Sequence, residues 1–597
     1  MPDCRVYELV TPPDTNGRRV GAIRTFGTPG TKELFPTELA SPSRDSIVYA
    51  SYSSPLLEPG EANGIVDVYQ AERGSSGWET VRQITPSGAQ AVQSIPGGVS
   101  ADHHYALATV QGSSSSLALG GSTDYLANPD GTFELTGLGS LGKEPFAQGR
   151  YISEGGGHVI FSTGNTSPRQ SEWCFFAGSK CEVLQLEPDA PPTGTGAVYD
   201  RSADGPTRVV SLLPGDKTPA AGEEAFYKGV SKDGTVIAFE IKGTLYARVD
   251  NAATLEVAAG EPIYAGLSEN GRYLFYVVGG DIHRFDIETS GDDQVNSTGD
   301  GEVVNVSADG SHVYFISPSQ LDGAKGTAGQ PNMYVWSGGL PEYIATVAPS
   351  DLERTSGTLV EVPALTNWTE WVTNPPKSLA EPGPGAESSR TTPDGNVLVF
   401  ESRAQLTAYD NDGHTQIYRY DDADGTLVCV SCNPSLEPAL EDARLQELVL
   451  TGTPTVIHNV TEDGSRVFFE TKEALVEGDI DDVNDIYQWH REEGGEITVD
   501  LISSGQSTEY PLLEGGVGDS FPAPNVLLSI TPDGRDVVFL AQEALVAGAG
   551  GGGTAAIYNA RVNGGFPLPP APSICLEEGC RAVPQAPPIF LTPNSET

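Results

Sequence analysis

The chain has 597 residues, and its 81 acidic side chains outnumber its 34 basic ones, which gives a formal net charge of −47. This balance excludes two classes of partner, nucleic acid bound through its phosphates and an anionic membrane surface, because both need a basic protein surface. The length corresponds to three or four ordinary domains, or to one repeat architecture that spans the whole chain. With 38% hydrophobic residues and 70 glycines, the composition indicates a folded, turn-rich protein.

The chain begins with Met1–Cys4, which leads directly into the strand-like run Arg5–Thr11 without the apolar segment of a signal peptide. We therefore expect a mature or truncated piece of an exported protein, or an intracellular protein. No run of 18 or more apolar residues follows anywhere, so the sequence predicts no membrane span.

One short motif recurs along the chain: Ser or Thr, any residue, Asp-Gly, and then a strand rich in β-branched and aromatic residues. Asp-Gly is a turn dipeptide, because glycine accepts a positive φ and the Asp side chain hydrogen-bonds to its own backbone. Clear copies begin at Ser231, Ser307, Thr392, Thr461 and Thr531, and degenerate copies at Ser43, Ser100, Ser153 and Ser268. The motif therefore predicts nine units.

Each unit contains four short strands. An apolar strand precedes the turn, and two further strands follow it, the first of them ending in an aromatic residue as in Asp485-Ile-Tyr487. Repeated four-stranded units are the blades of a β-propeller, which leaves an all-β chain of this length without open edges. We predict one propeller of nine blades, or of eight if one degenerate early unit is an insertion. The segment with the best helical pattern is Glu441–Val449.

The two ends of the chain are complementary. The last unit has strands around Asp533 and at Ile557–Arg561 but no fourth strand, and Arg5–Thr11 resembles the fourth strands of other units. We therefore predict that the N-terminal segment completes the last blade. The predicted organisation is a closing strand (residues 1–12), a propeller (13–563) with insertions at 164–196 and 346–390, and a Pro-rich tail (564–597).

The two insertions contain tryptophans that are candidates for a binding surface. Trp368 and Trp371 lie in the second insertion and Trp173 in the first. Aromatic side chains on loops above a rigid scaffold are suited to recognition of a ligand. The alternative is that each tryptophan only anchors its own loop.

Two acidic loops are candidates for calcium binding. One contains Asp479, Asp481, Asn484 and Asp485, and the other contains Asp410 and Asp412. Oxygen ligands at positions 1, 3 and 7 of a loop are suited to Ca²⁺, although the bidentate glutamate of an EF-hand is missing. The alternative is a hairpin whose carboxylates bond to the loop's own amides. We expect no other cofactor.

Six of the seven cysteines form close pairs, which we interpret as disulfides because few histidines lie nearby. The pairs are Cys174/Cys181, Cys429/Cys432 and Cys575/Cys580. The middle pair has CxxC spacing, but a zinc ribbon needs a second such pair and a redox motif should begin a helix. Free thiols are the remaining alternative. The disulfide interpretation favours export, and we expect a partner for Cys4 upstream.

The Ser/Thr-x-Asp-Gly…Asp-Ile-Tyr unit resembles the TolB-type, WD-repeat-like propeller repeat over roughly residues 40–562. Three segments also resemble a group of uncharacterised exported actinobacterial proteins: Pro2–Asp14, Cys429–Pro434 and Tyr558–Phe566. This second resemblance implies an upstream signal region and no established activity.

From these features we expect a non-enzymatic, monomeric propeller, secreted or at the cell surface, that binds a protein or glycan. No Gly-x-Ser-x-Gly nucleophile elbow or HExxH motif occurs. One alternative is a propeller lyase or hydrolase that uses carboxylates and histidines at the channel mouth. Another is a structural module of a cell-envelope complex.

Overall fold

The structure is a computed structural model of the chain. It describes residues 2–13, 15, 19–21, 40–41, 45–52, 66–84, 91–94, 98–111, 122–144, 147–164, 183–201, 205–352, 388–446, 457–492, 494–507, 525–547, 549 and 555–566. Among these residues no helix is long and apolar enough to cross a membrane.

The described strands form nine antiparallel sheets of four strands each, one sheet per blade. Eight blades use four consecutive strands, which we call A to D in chain order. The A strands of blades 4 and 5 and those of blades 6 and 7 contact each other, as expected for the strands nearest to a propeller axis. The prediction of an all-β propeller with nine blades is confirmed.

Blade 1 consists of β2 (Arg19–Gly21), β3 (Ser46–Tyr52), β4 (Val66–Arg73) and β5 (Trp78–Gln83). Blade 2 consists of β6 (Ala91–Ser94), β7 (Ala106–Gln111), β8 (Ser122–Ala127) and β9 (Phe133–Leu135). Blade 3 consists of β10 (Gln148–Ile152), β11 (Val159–Ser162), β12 (Val198–Arg201) and β13 (Thr207–Val209). Blade 4 consists of β14 (Ala225–Val230), β15 (Val236–Ile241), β16 (Thr244–Val249) and β17 (Ala253–Ala259).

Blade 5 consists of β18 (Ile263–Leu267), β19 (Tyr273–Val278), β20 (Asp281–Asp286) and β21 (Gly291–Gln294). Blade 6 consists of β22 (Glu302–Val306), β23 (Val313–Ser317), β24 (Asn332–Trp336) and β25 (Glu342–Thr346). Blade 7 consists of β26 (Ser389–Thr391), β27 (Val397–Ser402), β28 (Gln416–Asp421) and β29 (Thr426–Cys429). Blade 8 consists of β30 (Ala443–Arg444), β31 (Arg466–Thr471), β32 (Asp485–Arg491) and β33 (Ile497–Leu501).

Blade 9 contains both ends of the chain. Its strands are β34 (Asn525–Ile530), β35 (Asp536–Ala541), β36 (Ala556–Val562) and, in the D position, β1 (Arg5–Leu9). Short 3-10 turns lie at Pro2–Cys4, Glu154–Gly156 and Pro349–Leu352. The predicted closure by the N-terminal strand is therefore confirmed. The helical pattern predicted around Glu441–Val449 is wrong where the structure describes it, because Ala443–Arg444 pairs with β31 as a strand.

The core lies between neighbouring blades. In eight blades an aromatic residue of strand B faces an aromatic or histidine ring of strand C as a direct cross-strand pair, for example Phe469 and Tyr487, whose ring centroids are 5.8 Å apart. Hydrophobic residues of one blade then pack on those of the next, as Val236 of blade 4 does in a cluster with Tyr264 of blade 5. The aromatic cross-strand pairs stabilise each sheet, and the packing between blades holds neighbouring sheets together.

The Ser/Thr-x-Asp-Gly segment forms the turn between strands A and B. In blade 8 the Thr461 hydroxyl donates to the Asp463 carboxylate (2.6 Å), and Asp463 also accepts the backbone N–H of Ser465 (3.0 Å). Burial alone would raise the pKa of Asp463, but these hydrogen bonds more than offset it and hold the pKa below its usual value. The same balance lowers the pKa of Asp309 and Asp533.

The same turns join neighbouring blades. The Lys232 amide donates to the Glu269 carbonyl of the next turn (2.8 Å), and the Glu269 amide donates to the Ala308 carbonyl of the turn after that (2.6 Å). Gly464, at φ +64°, lies so close to blade 7 that a Cβ atom would come within 2.7 Å of a methyl group of Val397. This position of the turn therefore requires glycine, both for its positive φ and for its lack of a side chain.

Because strands alternate in direction, the A–B and C–D turns lie at one end of the propeller and the B–C and D–A connections at the other. We call these ends the turn face and the loop face. The insertion around 164–196 joins β11 to β12, and the one around 346–390 joins β25 to β26. The described ends of both insertions therefore lie on the loop face, and residues 165–182 and 353–387 lie outside the described part of the chain.

Ring closure depends on a buried carboxylate in β1. Glu8, which is 1% exposed, accepts hydrogen bonds from Arg73 (2.6 Å) and Trp78 (2.9 Å) of blade 1 and from the Gly565 amide (2.8 Å). We expect Glu8→Ala to lower the free energy of unfolding by about 3 kcal/mol, because the half-buried Arg73, the Trp78 ring N–H and the Gly565 amide all lose their acceptor. Urea denaturation measures this change. Glu79→Ala, at an exposed site of β5, is the control, and an equal loss in both variants would contradict the closure role of Glu8.

The turn carboxylates predict a sensitivity to acid. Their pKa values are lowered in the folded state, so the stability they contribute is present above the usual Asp pKa and is lost as the pH falls through the folded value. Asn270 occupies the same position in blade 5 and accepts the same bonds, from Ser268 (2.7 Å) and the Arg272 amide (3.0 Å). The triple variant Asp309→Asn, Asp463→Asn, Asp533→Asn should therefore keep the fold. Its urea midpoint should fall less than that of the wild type between about pH 5 and about pH 3. Parallel pH curves for the two proteins would contradict this account.

Candidate metal centre

Three carboxylates converge in the B–C loop of blade 8. Asp479 and Asp481 lie in the loop and Asp485 is the first residue of β32, and each offers an oxygen that lies within 4.8 Å of the other two. Within the part of the chain that the structure describes, no other group of three His, Cys, Asp or Glu side chains meets this distance. The loop therefore concentrates negative charge at one place on the loop face.

A tyrosine of strand C fixes the first of these carboxylates. In blades 6, 7 and 9 the corresponding tyrosine donates its hydroxyl to a backbone carbonyl of its own B–C loop, as Tyr418 does to Ala404 (2.7 Å). In blade 8 the Tyr487 hydroxyl donates to the Asp479 carboxylate instead, while it accepts the Leu475 amide (3.2 Å). Asp479 thus takes the place of a backbone acceptor used elsewhere in the ring.

The connection from blade 8 to blade 9 holds the other side of the loop. The Ile480 amide donates to the Gly505 carbonyl (2.9 Å), and Ser503 donates to the Asp485 carboxylate. Asn525 of β34 donates to Asp485 Oδ1 (3.1 Å). Sequence reasoning missed these residues and the role of Tyr487, because the contacts join segments that are far apart in the chain.

Two of the three carboxylates carry a buried oxygen without a hydrogen bond, Oδ2 of Asp481 and Oδ2 of Asp485. Burial raises the pKa of Asp485 to about 7, and the charges of Asp479 and Asp481 raise it further, against the opposing effects of the Ser503 hydroxyl and the Gly505 amide. Burial also raises the pKa of Asp479, and the Tyr487 hydroxyl only partly opposes this shift. The ionised forms of Asp485 and Asp479 are therefore both disfavoured at this position.

The other acidic loop has the same spacing and a different structure. Asp410 and Asp412 of blade 7 are both exposed, and the Asp412 amide donates to the Asp410 carboxylate (3.1 Å). At the seventh position, the side-chain oxygen of Gln416 accepts a hydrogen bond from Ser431 (2.7 Å). The described structure of this loop is thus an Asx-type turn, and calcium binding there stays a prediction.

The remaining predicted site residues fall into three groups. Asn484 donates to the Asn525 carbonyl (3.0 Å) and so ties the acidic loop to blade 9. The sulphur atoms of Cys429 and Cys432 are bonded, with a Cα–Cα distance of 5.6 Å. The residues that lie outside the described part of the chain are Trp173, Trp368, Trp371, Cys174, Cys181, Cys575 and Cys580.

Three exposed aliphatic side chains lie on the acidic loop and on the neighbouring loop to which it is hydrogen-bonded. Ile480, between two of the carboxylates, is 74% exposed, and Leu436 and Leu440 on the D–A connection of blade 7 are 78% and 73% exposed. Buried Glu473 joins the two loops, since it accepts the side-chain amide of Asn433 (3.0 Å) and the backbone amide of Leu440 (3.1 Å). We call Leu436, Leu440 and Ile480 the apolar patch.

Comparison with known proteins gives matches of fold only. No protein-family model matches the chain, and no curated protein matches it. A solved prolyl endopeptidase is 10% identical with a TM-score of 0.34, and the match covers 76% of this chain and 54% of the endopeptidase. Dipeptidyl peptidase 4 of Porphyromonas gingivalis is 12% identical with a TM-score of 0.36, covering 86% of this chain and 59% of that one.

A putative TolB from Agrobacterium tumefaciens is 14% identical with a TM-score of 0.23, and the match covers 49% of this chain and 83% of TolB. The structural neighbours thus include TolB proteins and peptidases, and the chain spans only slightly more than half the length of the two peptidases. With TM-scores this low, none of these likenesses supports an argument about function. The resemblance to exported actinobacterial proteins stays a prediction.

The packing of Gly505 predicts how the loop responds to substitution. Gly505 and Gly495 both have positive φ, +64° and +82°, but only at Gly505 would a Cβ atom meet neighbours, at 2.8 Å from the Asp479 Cα. We expect Gly495→Ala to cost about 1 kcal/mol of stability for its conformation alone. Gly505→Ala should cost about 3 kcal/mol, because it also displaces the acidic loop. Urea denaturation measures both, and equal costs would show that the loop does not pack as described.

Proposed function

We propose that this protein is an exported, non-enzymatic β-propeller that binds a protein partner through the loop face of blades 7 and 8. The observation that carries the proposal is the apolar patch, three aliphatic side chains that are each more than 70% exposed on two loops joined by Glu473. Burying a side chain of this size in an interface contributes about 1.5–3 kcal/mol, so a partner that covers all three gains an effective contact.

The chemistry around the patch supports a protein rather than a glycan. Aliphatic side chains lack the flat ring faces on which sugars stack, and the three tryptophans that are candidates for a binding surface lie outside the described residues. The same two loops expose mostly acidic side chains around the patch; these are Glu437, Glu441, Glu477 and Asp482, with one exposed lysine, Lys472. We therefore propose a partner that presents an apolar contact flanked by basic residues.

The alternative of a propeller lyase or hydrolase requires histidine and carboxylate side chains to converge on one pocket of the loop face. Two described histidines have other positions. His158 lies 2.8 Å from Asp200 and packs beneath Gly234 of blade 4, and His312 packs beneath Gly395 of blade 7. Both contacts join neighbouring blades at the turn face, which supports a structural role for these two side chains. His414 lies on the loop face instead, 3.4 Å from a carboxylate oxygen of Asp442.

Export is supported by the Cys429–Cys432 bond, because disulfides persist in oxidising compartments. This bond lies at the start of the connection that carries Leu436 and Leu440, so it restrains the loop that forms part of the patch. A structural module of a cell-envelope complex would use the same surface. The proposal therefore places the partner in the cell envelope or outside the cell.

The test is capture of a partner from envelope extracts by the full chain, followed by titration of the purified partner. We expect the double variant Leu436→Ser, Ile480→Ser to weaken this binding about 100-fold, since two apolar anchors are removed. High salt should slow association without abolishing it, because the acidic residues surround the contact.

Leu340→Ser is the matched control. Leu340 is 84% exposed but lies in a C–D turn of blade 6, on the turn face. Its substitution should leave binding unchanged. Equal affinity of the wild type and the double variant would reject the apolar patch as the docking surface.

A further inference from the structure

We propose that Asp479, Asp481 and Asp485 form a calcium site in the B–C loop of blade 8. The site follows from the positions and hydrogen bonds of these residues and does not depend on the proposed partner.

The geometry matches the coordination shell of a calcium ion. Ca²⁺ binds carboxylate oxygens at 2.3–2.6 Å, so two ligands on opposite sides of one ion are separated by about 5 Å. The three carboxylate oxygens lie within 4.8 Å of one another, which places them inside this limit. Backbone carbonyls and water complete the six to eight ligands that calcium uses.

The hydrogen bonds leave ligand oxygens available. Asp485 is completely buried, and its Oδ1 accepts Ser503 and Asn525 while its Oδ2 has no partner. Asp481 likewise uses Oδ1, for the Val483 amide (3.0 Å), and keeps a buried Oδ2 without a partner. A buried carboxylate oxygen with no donor is costly, and a bound cation removes that cost.

No protein cation fills this role in the described structure. Among the ion pairs of the described residues, none involves Asp479, Asp481 or Asp485. The nearest charged groups that act on Asp485 are the other two carboxylates. Three negative charges in a mostly buried loop repel one another, and this repulsion is relieved either by a proton on one carboxylate or by a bound cation.

Oxygen-only ligands on a loop favour Ca²⁺ over zinc or copper, which prefer nitrogen and sulphur. Mg²⁺ demands a nearly ideal octahedron and retains most of its water, so a loop that supplies three carboxylates with irregular spacing favours the larger ion. The site binds Mg²⁺ more weakly for the same reason.

The blade 7 loop provides an internal comparison. It has acidic residues at the first and third positions, but Asp410 and Asp412 are exposed and Gln416 at the seventh position accepts a bond from Ser431. Spacing alone therefore does not make the site. The differences are burial, the Tyr487 hydroxyl on Asp479, and the unpaired oxygen of Asp485.

The experiment uses the full chain, stripped with EDTA and titrated with CaCl₂ by calorimetry and with TbCl₃ by luminescence. Tyr487 touches the site through Asp479, so excitation of the aromatic residues should sensitise emission from bound Tb³⁺. Saturating Ca²⁺ should quench this emission and raise the melting temperature by about 3 °C. Mg²⁺ at the same concentration should quench the emission less and raise the melting temperature less.

The variants separate this site from general acidity. Asp485→Asn retains the Oδ1 that accepts Ser503 and Asn525, so it should fold and bind Ca²⁺ at least about 10-fold more weakly. Asp481→Asn, at a half-buried position, is the second variant and should give the same loss. The double variant Asp410→Asn, Asp412→Asn is the control and should bind Ca²⁺ as the wild type does. Absence of Ca²⁺ binding to the wild type, unchanged affinity in both site variants, or an equal loss in the control would overturn the proposal.

Discussion

The ring depends on one repeated contact, the Ser/Thr-x-Asp-Gly turn against the blade before it. The Asp carboxylate of each turn accepts hydrogen bonds from a hydroxyl and a backbone amide of the same turn. The glycine that follows it then packs closely against the preceding blade. A Cβ atom on Gly271 or Gly464 would lie 2.7 Å from a valine methyl of the preceding blade, and backbone hydrogen bonds join one turn to the next. Because each blade is positioned only by its neighbours, the spacing of these turns sets the geometry of the whole ring.

This contact explains why the fold could be predicted from the sequence. Asp-Gly turns and alternating strands are local patterns, and the unpaired last unit together with the strand-like Arg5–Leu9 indicated ring closure. The blade count depended on degenerate copies such as Ser100-Ala-Asp102, where Ser100 donates to Asp102 (2.6 Å) although the glycine is missing. The helical pattern at Glu441–Val449 was misleading, because pairing with β31 outweighs local propensity.

The sequence predicted the acidic residues of the candidate site but not the partners that distinguish it from a second loop of the same pattern. Residues at positions 1, 3 and 7 of two loops gave the same pattern, but only one loop brings three carboxylates together. The difference lies in non-local partners. Ser503 of the connection to blade 9 and Asn525 of β34 donate to Asp485, whereas Ser431 donates to the side-chain oxygen of Gln416. A clue was present in the Asp-Ile-Tyr motif, since a tyrosine that elsewhere binds a loop carbonyl has a carboxylate within reach in blade 8.

The acidic residues of this chain therefore belong to chemically different groups. On the turn face, carboxylates such as Asp309 have lowered pKa values, because the two hydroxyls and the amide that donate to it outweigh burial, and their charge stabilises the fold. On the loop face, Asp485 is buried among other carboxylates and has a raised pKa. Burial also raises the pKa of Glu401. This carboxylate, however, accepts a hydrogen bond from the Leu445 amide (2.7 Å), and the positive charges of Arg444 and Arg390 stabilise its ionised form. Net charge says nothing about this distinction. A carboxylate whose buried oxygen has neither donor nor cation points to a ligand, whereas buried Glu8 and Glu401 and the turn carboxylates have donors within the chain.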